Sequence, residues 1–383
     1  MRWDIAPSNA GTGLPLEGVR VLDLSRVLAG PLCAMVVGDL GADVIKVESP
    51  EGDAVRALAP PSLDGLATYY LSVNRHRRNL TLDLRAADDR AVLRLLVSQA
   101  DAVVENYLPH QAELFGVREL RDEFPDVVWI TITPASSGSP LAERPTFDLL
   151  AQARSGLMSV TGSAESGPMK IGAPLADVVT GLYAAIGLIT GLFARIQGRP
   201  GRHFEAPLLE SAMTALVNQA QGFLAAGVAP QRLGNHHPSI APYGPVAAQD
   251  GMLLLAVGTD AQYELLVNEL GDDELSARRE WLRNDVRVQE RDALHVELDR
   301  VFGRLSVAEW LDRLAHANVP CAPIYSVPEA LAQPDLAEDF IATVDSVVGP
   351  LSMMRSPLRV DGQRPPLRSG PRGLGEDNDL RNS

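Results

Sequence analysis

"VRVLDLSRVLAGPLCAMVVGDLGADVIKVE", residues 19–48, sets two β-branched apolar runs around a stretch of small residues with helical spacing. Residues 19–24 read as a buried strand, 29–41 as a helix and 42–48 as a second strand. The alternation continues with "NLTLDL" (79–84), a helix over about 85–98, "ADAVVEN" (100–106) and "VVWITIT" (127–133). Apolar strands separated by helices predict a mostly parallel sheet covered on both faces, a Rossmann-like, doubly wound α/β fold. Ligands on such sheets sit beyond the carboxyl ends of the strands. That singles out Ser25 to Ala29, Ser49, Arg85, Asn106 and Thr133. Neither GxGxxG nor GxxxxGK[ST] follows any strand, so dinucleotide and P-loop readings lack support.

Farther along, "GRPGRHFEAP" reads as a turn, residues 208–226 as one long helix, and 227–245 as a loop dense in turn formers. "GMLLLAV" (251–257) opens a smaller unit with helices near 261–270, 288–301 and 306–317. From about residue 320 the chain reads as a linker, followed by a polar tail rich in Pro and Gly.

With 383 residues the chain can bury a large core, and 46% hydrophobic residues is ordinary for a globular protein. A formal net charge of −15 argues against nucleic acid as a partner, because phosphate binding needs a clustered basic face. One local basic run, "NRHRRN" (74–79), remains a candidate for holding nucleotide phosphates. Cys33 and Cys321 have no metal-ligand spacing, nor do the adjacent His236 and His237, so no metal site is expected. Free cysteines and an N-terminal stretch, "MRWDIAPSNAGTG", without the apolar run of a signal peptide point to a cytoplasmic protein.

One segment, "KIGAPLADVVTGLYAAIGLITGLFAR" (170–195), carries a lone carboxylate, Asp177, ahead of an uncharged run from Val178 to Ala194. The run is at the lower limit for a membrane span, stands alone, and contains a GxxxG at Gly187 and Gly191 that suits a soluble core equally well. A fully buried helix of a soluble protein is expected, with no membrane partner. Pro174 and Asp177 mark the start of that helix. Helix-end amides would hold Asp177 ionised, while apolar neighbours would leave it poorly hydrated, the conditions for a carboxylate nucleophile. Spacing alone does not separate that role from a simple cap.

"LEGVRVLDLSRVLAGPLCAMVVGDLGADVIKVESPEGD" (16–53) strongly resembles the opening of family III CoA-transferases, the carnitine-dehydratase and bile-acid-inducible type. The likeness recurs in order at "NRHRRNLTLDLR", "ADAVVENYLP", "RPTFDLLAQARSGLMSVTG", "IGAPLADVVTGLYAAIGLI", "GNHHPSIAPYGPV", "DGMLLLAVGTDAQY" and "GLGED", over nearly the whole chain. It implies two subunits interlocked like chain links, each with a large α/β domain built from both termini and a small α+β domain between. The matching boundaries are 1–200 for the first part of the large domain, 201–227 for a linker helix, 228–325 for the small domain and 326–383 for the linker and return.

The resemblance implies an acyl-CoA:carboxylate CoA-transferase in which Asp177, matching the aspartate of the family's G-x-P-x-x-D motif, attacks the thioester. Coenzyme A and its acyl esters enter as substrates, with no tightly bound cofactor, and the partner is a second copy of the chain. Leu28 and Ala29 match the loop along CoA; Leu82, Asp83, Leu84 and Arg85 match the turn at its adenosine end; Asn106 and Tyr107 match a further contact at a strand end. Gly234, Asn235 and His236 match a loop beside the acyl group.

Two departures touch that pocket: Leu114 stands where the family often has arginine, and Pro134, Ala135 and Ser136 replace a glycine-aromatic-glycine stretch. Two other activities stay open on the resemblance. α-Methylacyl-CoA racemases share the fold, but their histidine base falls at Phe147 in "PTFD", and phenylalanine cannot relay a proton. A catalytically weak CoA-binding partner protein is the other.

Overall fold

The computed structural model describes residues 12–382; the N-terminal stretch through residue 11 and Ser383 lie outside them. Six strands, β1 (Arg20–Asp23), β2 (Asp43–Glu48), β3 (Arg77–Thr81), β4 (Ala102–Glu105), β5 (Val128–Thr133) and β6 (His203–Pro207), form one sheet in the order β3-β2-β1-β4-β5-β6. Every neighbouring pair is parallel. The strand order reverses at β1 and β4, which opens a crevice at their carboxyl ends. Five of the six strands overlap the runs read from the sequence, although β3 starts two residues earlier than the expected 79–84 and ends at Thr81. β6 was expected as a turn; it is an edge strand in which only Ala206 is buried, so "HFEAP" carries little apolar signal.

Alternate residues of each strand feed two cores, because successive side chains point to opposite faces. On one face Val21, Val104, Val128 and Ile130 meet Cys33 and Ala34 of α1 (Ala29–Asp39). On the other, Leu22, Ile45, Leu80 and Trp129 meet Leu93, Leu96 and Val97 of α2 (Ala87–Gln99). Two later helices complete the site's support: α3 (Asp148–Ser155) and α4 (Leu175–Ile196), the latter the long apolar segment.

α4 joins the first of these cores through Ala184, Ala185, Leu188 and Leu192, each large side chain there contributing about 1.5–3 kcal/mol of burial. Small residues bring it close: a Cβ at Gly181 would lie 2.7 Å from the Ala29 carbonyl, and one at Gly191 would collide with Val128. By length and composition α4 could cross a membrane. The expectation of full burial is corrected: one side packs on the sheet, while Leu182, Tyr183, Ile186, Ile189, Phe193 and Ile196 are exposed.

The helix expected over 208–226 is two, α5 (Leu208–Thr214) and α6 (Val217–Ala226), broken at Val217, whose φ is 38°. The chain's end runs beside β3, where Asp377 accepts the Asn79 amide proton (2.7 Å) and Asn378 that of Thr81 (2.8 Å).

The chain divides into two compact units, Met1–Met158 with Lys170–Val228 and Pro334–Ser383, and Ser159–Met169 with Ala229–Gln333. The second has an antiparallel sheet of β7 (Tyr243–Ala247), β8 (Met252–Ala256) and β9 (Cys321–Pro323), β8 in the middle. β9 lies in the stretch read as linker; its register with Leu253–Leu255 makes it sheet. Trp281, Phe302 and Trp310 centre this unit's core.

Candidate active site

A cleft of about 590 Å³ opens at the carboxyl ends of the six-stranded sheet, within the first unit. Its floor is the loop after β1, which buried polar groups hold in shape. Val27 sits at φ 69°, a left-handed conformation unusual for a β-branched residue. The Asp53 carboxylate accepts the Val27 amide proton at 3.1 Å, and the Lys46 ammonium lies 3.3 Å from Asp53 while donating to the Ser25 carbonyl at 2.8 Å. Lys46 and Asp53 are fully buried, so each charge depends on the other. Gly30 completes the turn: a Cβ there would collide with Ser25.

The two loops flanking the crevice are tied across it. Asn106 Oδ1 accepts the Arg26 amide proton at 3.0 Å, and Asn106 Nδ2 donates to the Arg26 carbonyl at 2.9 Å. Below Asn106, Glu105 accepts the Tyr107 amide proton at 2.7 Å. Burial pushes Glu105 up to about 7, against the pull of the Thr131 hydroxyl, the Tyr107 amide and the Arg121 charge. Glu48, at the end of β2, shows the opposite balance. Burial opposes its charge, yet the bidentate Arg56 guanidinium, Lys46 and the Asp53 amide hold it down to about 2.

Asp177 lies in the first turn of α4 and lines the cleft. Its carboxylate makes no hydrogen bond or ion pair among the described residues, a consequence of what precedes it. Asp148, which opens α3, accepts the Ala176 amide proton at 2.8 Å and a Gln152 amide proton at 2.6 Å; Gln152 Oε1 in turn accepts from the Ile171 amide. The helix-end amide expected to hold Asp177 ionised is therefore taken by Asp148. Burial, and then the Asp148 charge, push Asp177 up to about 7. This corrects the expectation of a carboxylate kept firmly charged: near neutrality it is poised between forms, which makes it a stronger base and nucleophile when ionised.

The residues singled out from the sequence fall in two places. Leu28, Ala29, Leu82, Asp83, Leu84, Arg85, Asn106, Tyr107 and Asp177 all line this one cleft. Arg85 is exposed and pairs with Asp83 (2.8 Å) and Glu51 (3.6 Å), contacts that an anion can displace. Gly234, Asn235 and His236 belong to the second unit. There Gly234 donates to the Gly162 carbonyl at 2.9 Å, and the His236 ring meets His295 edge-on at 4.4 Å.

The basic run fails as a phosphate patch. Arg75 is buried against Asp39 (2.7 Å), Arg77 against Asp23 (2.8 Å) and Arg78 against Asp43 (2.6 Å), so these guanidinium charges are already neutralised inside the fold. Among the departures, Leu114 is exposed and outside the lining, whereas Pro134 and Phe147 line the cleft. Sequence reasoning missed Asp148, Asp53 and Tyr69. The half-buried Tyr69 phenol is pushed up to about 12 by burial and by the charges of Asp177, Asp148 and Asp53. A carboxylate opening an amphipathic helix was the available signal for Asp148.

The comparisons agree on what this arrangement is. Residues 16–378 match the model of CoA-transferase family III. The succinate–glutarate CoA-transferase of Agrobacterium fabrum is 35% identical over 371 residues, covering 92% of this chain and 93% of the relative. The succinyl-CoA:mesaconate CoA-transferase of Haloarcula marismortui is 32% identical, over 92% of this chain and 93% of its own. A crystal structure of a CaiB/BaiF family protein from Brucella suis superposes with a TM-score of 0.85 at 35% identity, covering 96% of this chain and 98% of that one. With the parallel sheet, the strand-end cleft and the G-x-P-x-x-D carboxylate in place, the chain belongs to CoA-transferase family III and is an enzyme of that class.

Proposed function

We propose that the protein moves CoA between an acyl-CoA thioester and a free carboxylic acid by way of Asp177. An ionised Asp177 oxygen attacks the thioester carbonyl carbon, the C–S bond breaks, and CoA leaves as thiolate. The resulting mixed anhydride is attacked by that thiolate at the Asp177 carbonyl, which frees the donor acid and leaves CoA as a thioester on Asp177. The incoming carboxylate attacks this thioester to form a second anhydride, expelling the thiolate. Attack of the thiolate on the new acyl carbonyl releases acyl-CoA and restores Asp177. Each step exchanges one activated acyl bond for another, so the thioester's energy survives if water is kept out.

The observation that carries this reading is the gathering of Asp177 with both tied loops and the end of β3 in one cleft. Arg85 and Arg26, at its β3 and β1 sides, supply positive charge for the nucleotide end of CoA, and Leu28, Ala29 and Tyr107 line the way inward. By the same resemblance, Gly234, Asn235 and His236 are proposed to take part in substrate binding. No step moves electrons between redox states, so no resident cofactor is required.

The interlocked homodimer belongs to the same proposal. The exposed apolar side of α4 and the exposed Phe223 and Leu224 of α6 are surface that a second copy would cover. Light scattering at twice the 41.1 kDa chain mass supports it, and a monomer refutes it. Cytoplasmic placement accords with Cys33 and Cys321 both being free.

The test is chemical trapping. Wild-type protein incubated with succinyl-CoA and quenched with borohydride or hydroxylamine should carry a modification on the Asp177 peptide, absent in Asp177→Asn. Exchange of an α-proton without any adduct supports the racemase reading instead, and binding without either supports the partner-protein reading.

A further inference from the structure

A smaller chamber adjoins the cleft. A cavity of about 70 Å³ is lined by Pro134, Leu141, Arg144, Pro145, Thr146, Leu150, Ala151, Arg154 and Leu209, and three of these, Pro134, Pro145 and Thr146, also wall the main cleft. That volume accommodates a carboxylate, since a single water needs only about 10–15 Å³. Arg144 and Arg154 are the cations of the chamber, and neither guanidinium makes an ion pair or hydrogen bond among the described residues. Arg56, Arg75, Arg77 and Arg78 of the same unit, by comparison, are each matched to a carboxylate.

The electrostatics of the acyl end require a cation. Asp177 and Asp148 already place two carboxylates there, close enough that one raises the other's proton affinity. An acid with a second carboxylate would add a third negative charge. The cations that line the main cleft, Arg26 and Arg85, come from the loop after β1 and the turn after β3. The side chamber instead adjoins Pro134, just past the end of β5. Strands β3 and β5 are four positions apart in the sheet, or roughly 19 Å at about 4.8 Å per strand, so Arg85 belongs to the opposite end from the chamber.

Resting on the Asp177 reading, we propose that Arg144 and Arg154 bind the distal carboxylate of a dicarboxylic acid and so select dicarboxylic over monocarboxylic acyl groups. The reacting carboxyl group faces Asp177, the short apolar chain passes the Pro134, Pro145 and Thr146 wall, and the far carboxylate enters the chamber. Guanidinium forks suit this task because they meet a carboxylate with paired N–H bonds.

The test compares two acids of equal chain length, glutarate and pentanoate, as acceptors from succinyl-CoA. The wild type should take glutarate with a KM at least about tenfold lower than pentanoate, a factor worth about 1.4 kcal/mol. Arg144→Gln with Arg154→Gln should raise the glutarate KM about tenfold or more, leave kcat within about twofold and leave pentanoate unchanged. Both arginines are exposed, so unchanged melting temperatures are expected of the variants. Equal use of the two acids by the wild type, or an unchanged glutarate KM in the double variant, overturns the proposal. If no CoA ester forms from either acid, the Asp177 reading fails, and calorimetric titration of glutarate into wild type and variant still decides whether these arginines hold a dicarboxylate.

Discussion

The Asp148 carboxylate accepts the Ala176 amide proton at 2.8 Å and so occupies the helix-end amide immediately before Asp177. One carboxylate is thereby hydrogen-bonded to the helix end, while the other is left to the cleft with a negative neighbour. Burial and that neighbour raise Asp177 to about 7. The acid limb of the pH–rate profile, kcat/KM against pH, should therefore rise with pH and level off above about 7. Asp148→Asn keeps an oxygen for the Ala176 amide but removes the charge, so the limb should move to lower pH, by about half to one unit. A limb that stays in place separates Asp148 from the ionisation of Asp177.

Glu105 bears on stability. Its carboxyl is raised from 4.5 to about 7 in the fold. A raised acid contributes stability that is complete below about pH 4.5 and is lost as pH rises through about 7. Glu105→Gln retains an acceptor for the Tyr107 amide without the buried charge. The variant should match wild type in unfolding free energy near pH 4 and exceed it near pH 8, by up to about 3 kcal/mol. Urea melts at the two pH values check this, and a variant less stable at both would mean the charge is needed.

Lys46 and Asp53 hold the loop along which CoA is proposed to lie. Asp53→Ala removes the acceptor of the Val27 amide and strips Lys46 of its nearer carboxylate, with Asp23 4.0 Å away as the remaining one. A loss of about 3 kcal/mol in unfolding free energy is expected. The KM for acyl-CoA should rise with it as the left-handed Val27 turn loosens. Unchanged stability would show that the loop holds itself.

Gly191 tests the seating of α4. Gly191→Leu forces a side chain into Val128 and should cost about 1–3 kcal/mol, read as a lower melting temperature. Ile186→Ser, on the exposed side, should leave the chain's own fold intact while weakening self-association in sedimentation. A monomer-like wild type would remove the reason for that exposed face.

The sheet was legible because β-branched runs and intervening helices obey local rules: β2, buried throughout, reads as an unbroken apolar strand apart from its ends and Lys46. β6 was not, since an edge strand of "HFEAP" buries almost nothing. The cleft residues were found because strand ends and family motifs coincide at Leu28, Arg85 and Asn106. Asp148 escaped because its role arises between two helices separated in sequence, α3 and α4, and no spacing rule links them. The "NRHRRN" run misled for the same reason. Arg75, Arg77 and Arg78 look like a basic patch in one dimension, while their partners Asp39, Asp23 and Asp43 come from elsewhere in the chain.

The central proposal is that Asp177 trades oxygen with the substrates, and isotope transfer tests it most directly. A single turnover with a carboxylic acid labelled with 18O in its carboxyl group, followed by mass spectrometry of the Asp177 peptide, should show one label in the Asp177 side chain, because the second anhydride leaves its bridging oxygen there. Formation of the labelled acid's CoA ester with no label in Asp177 would contradict the account.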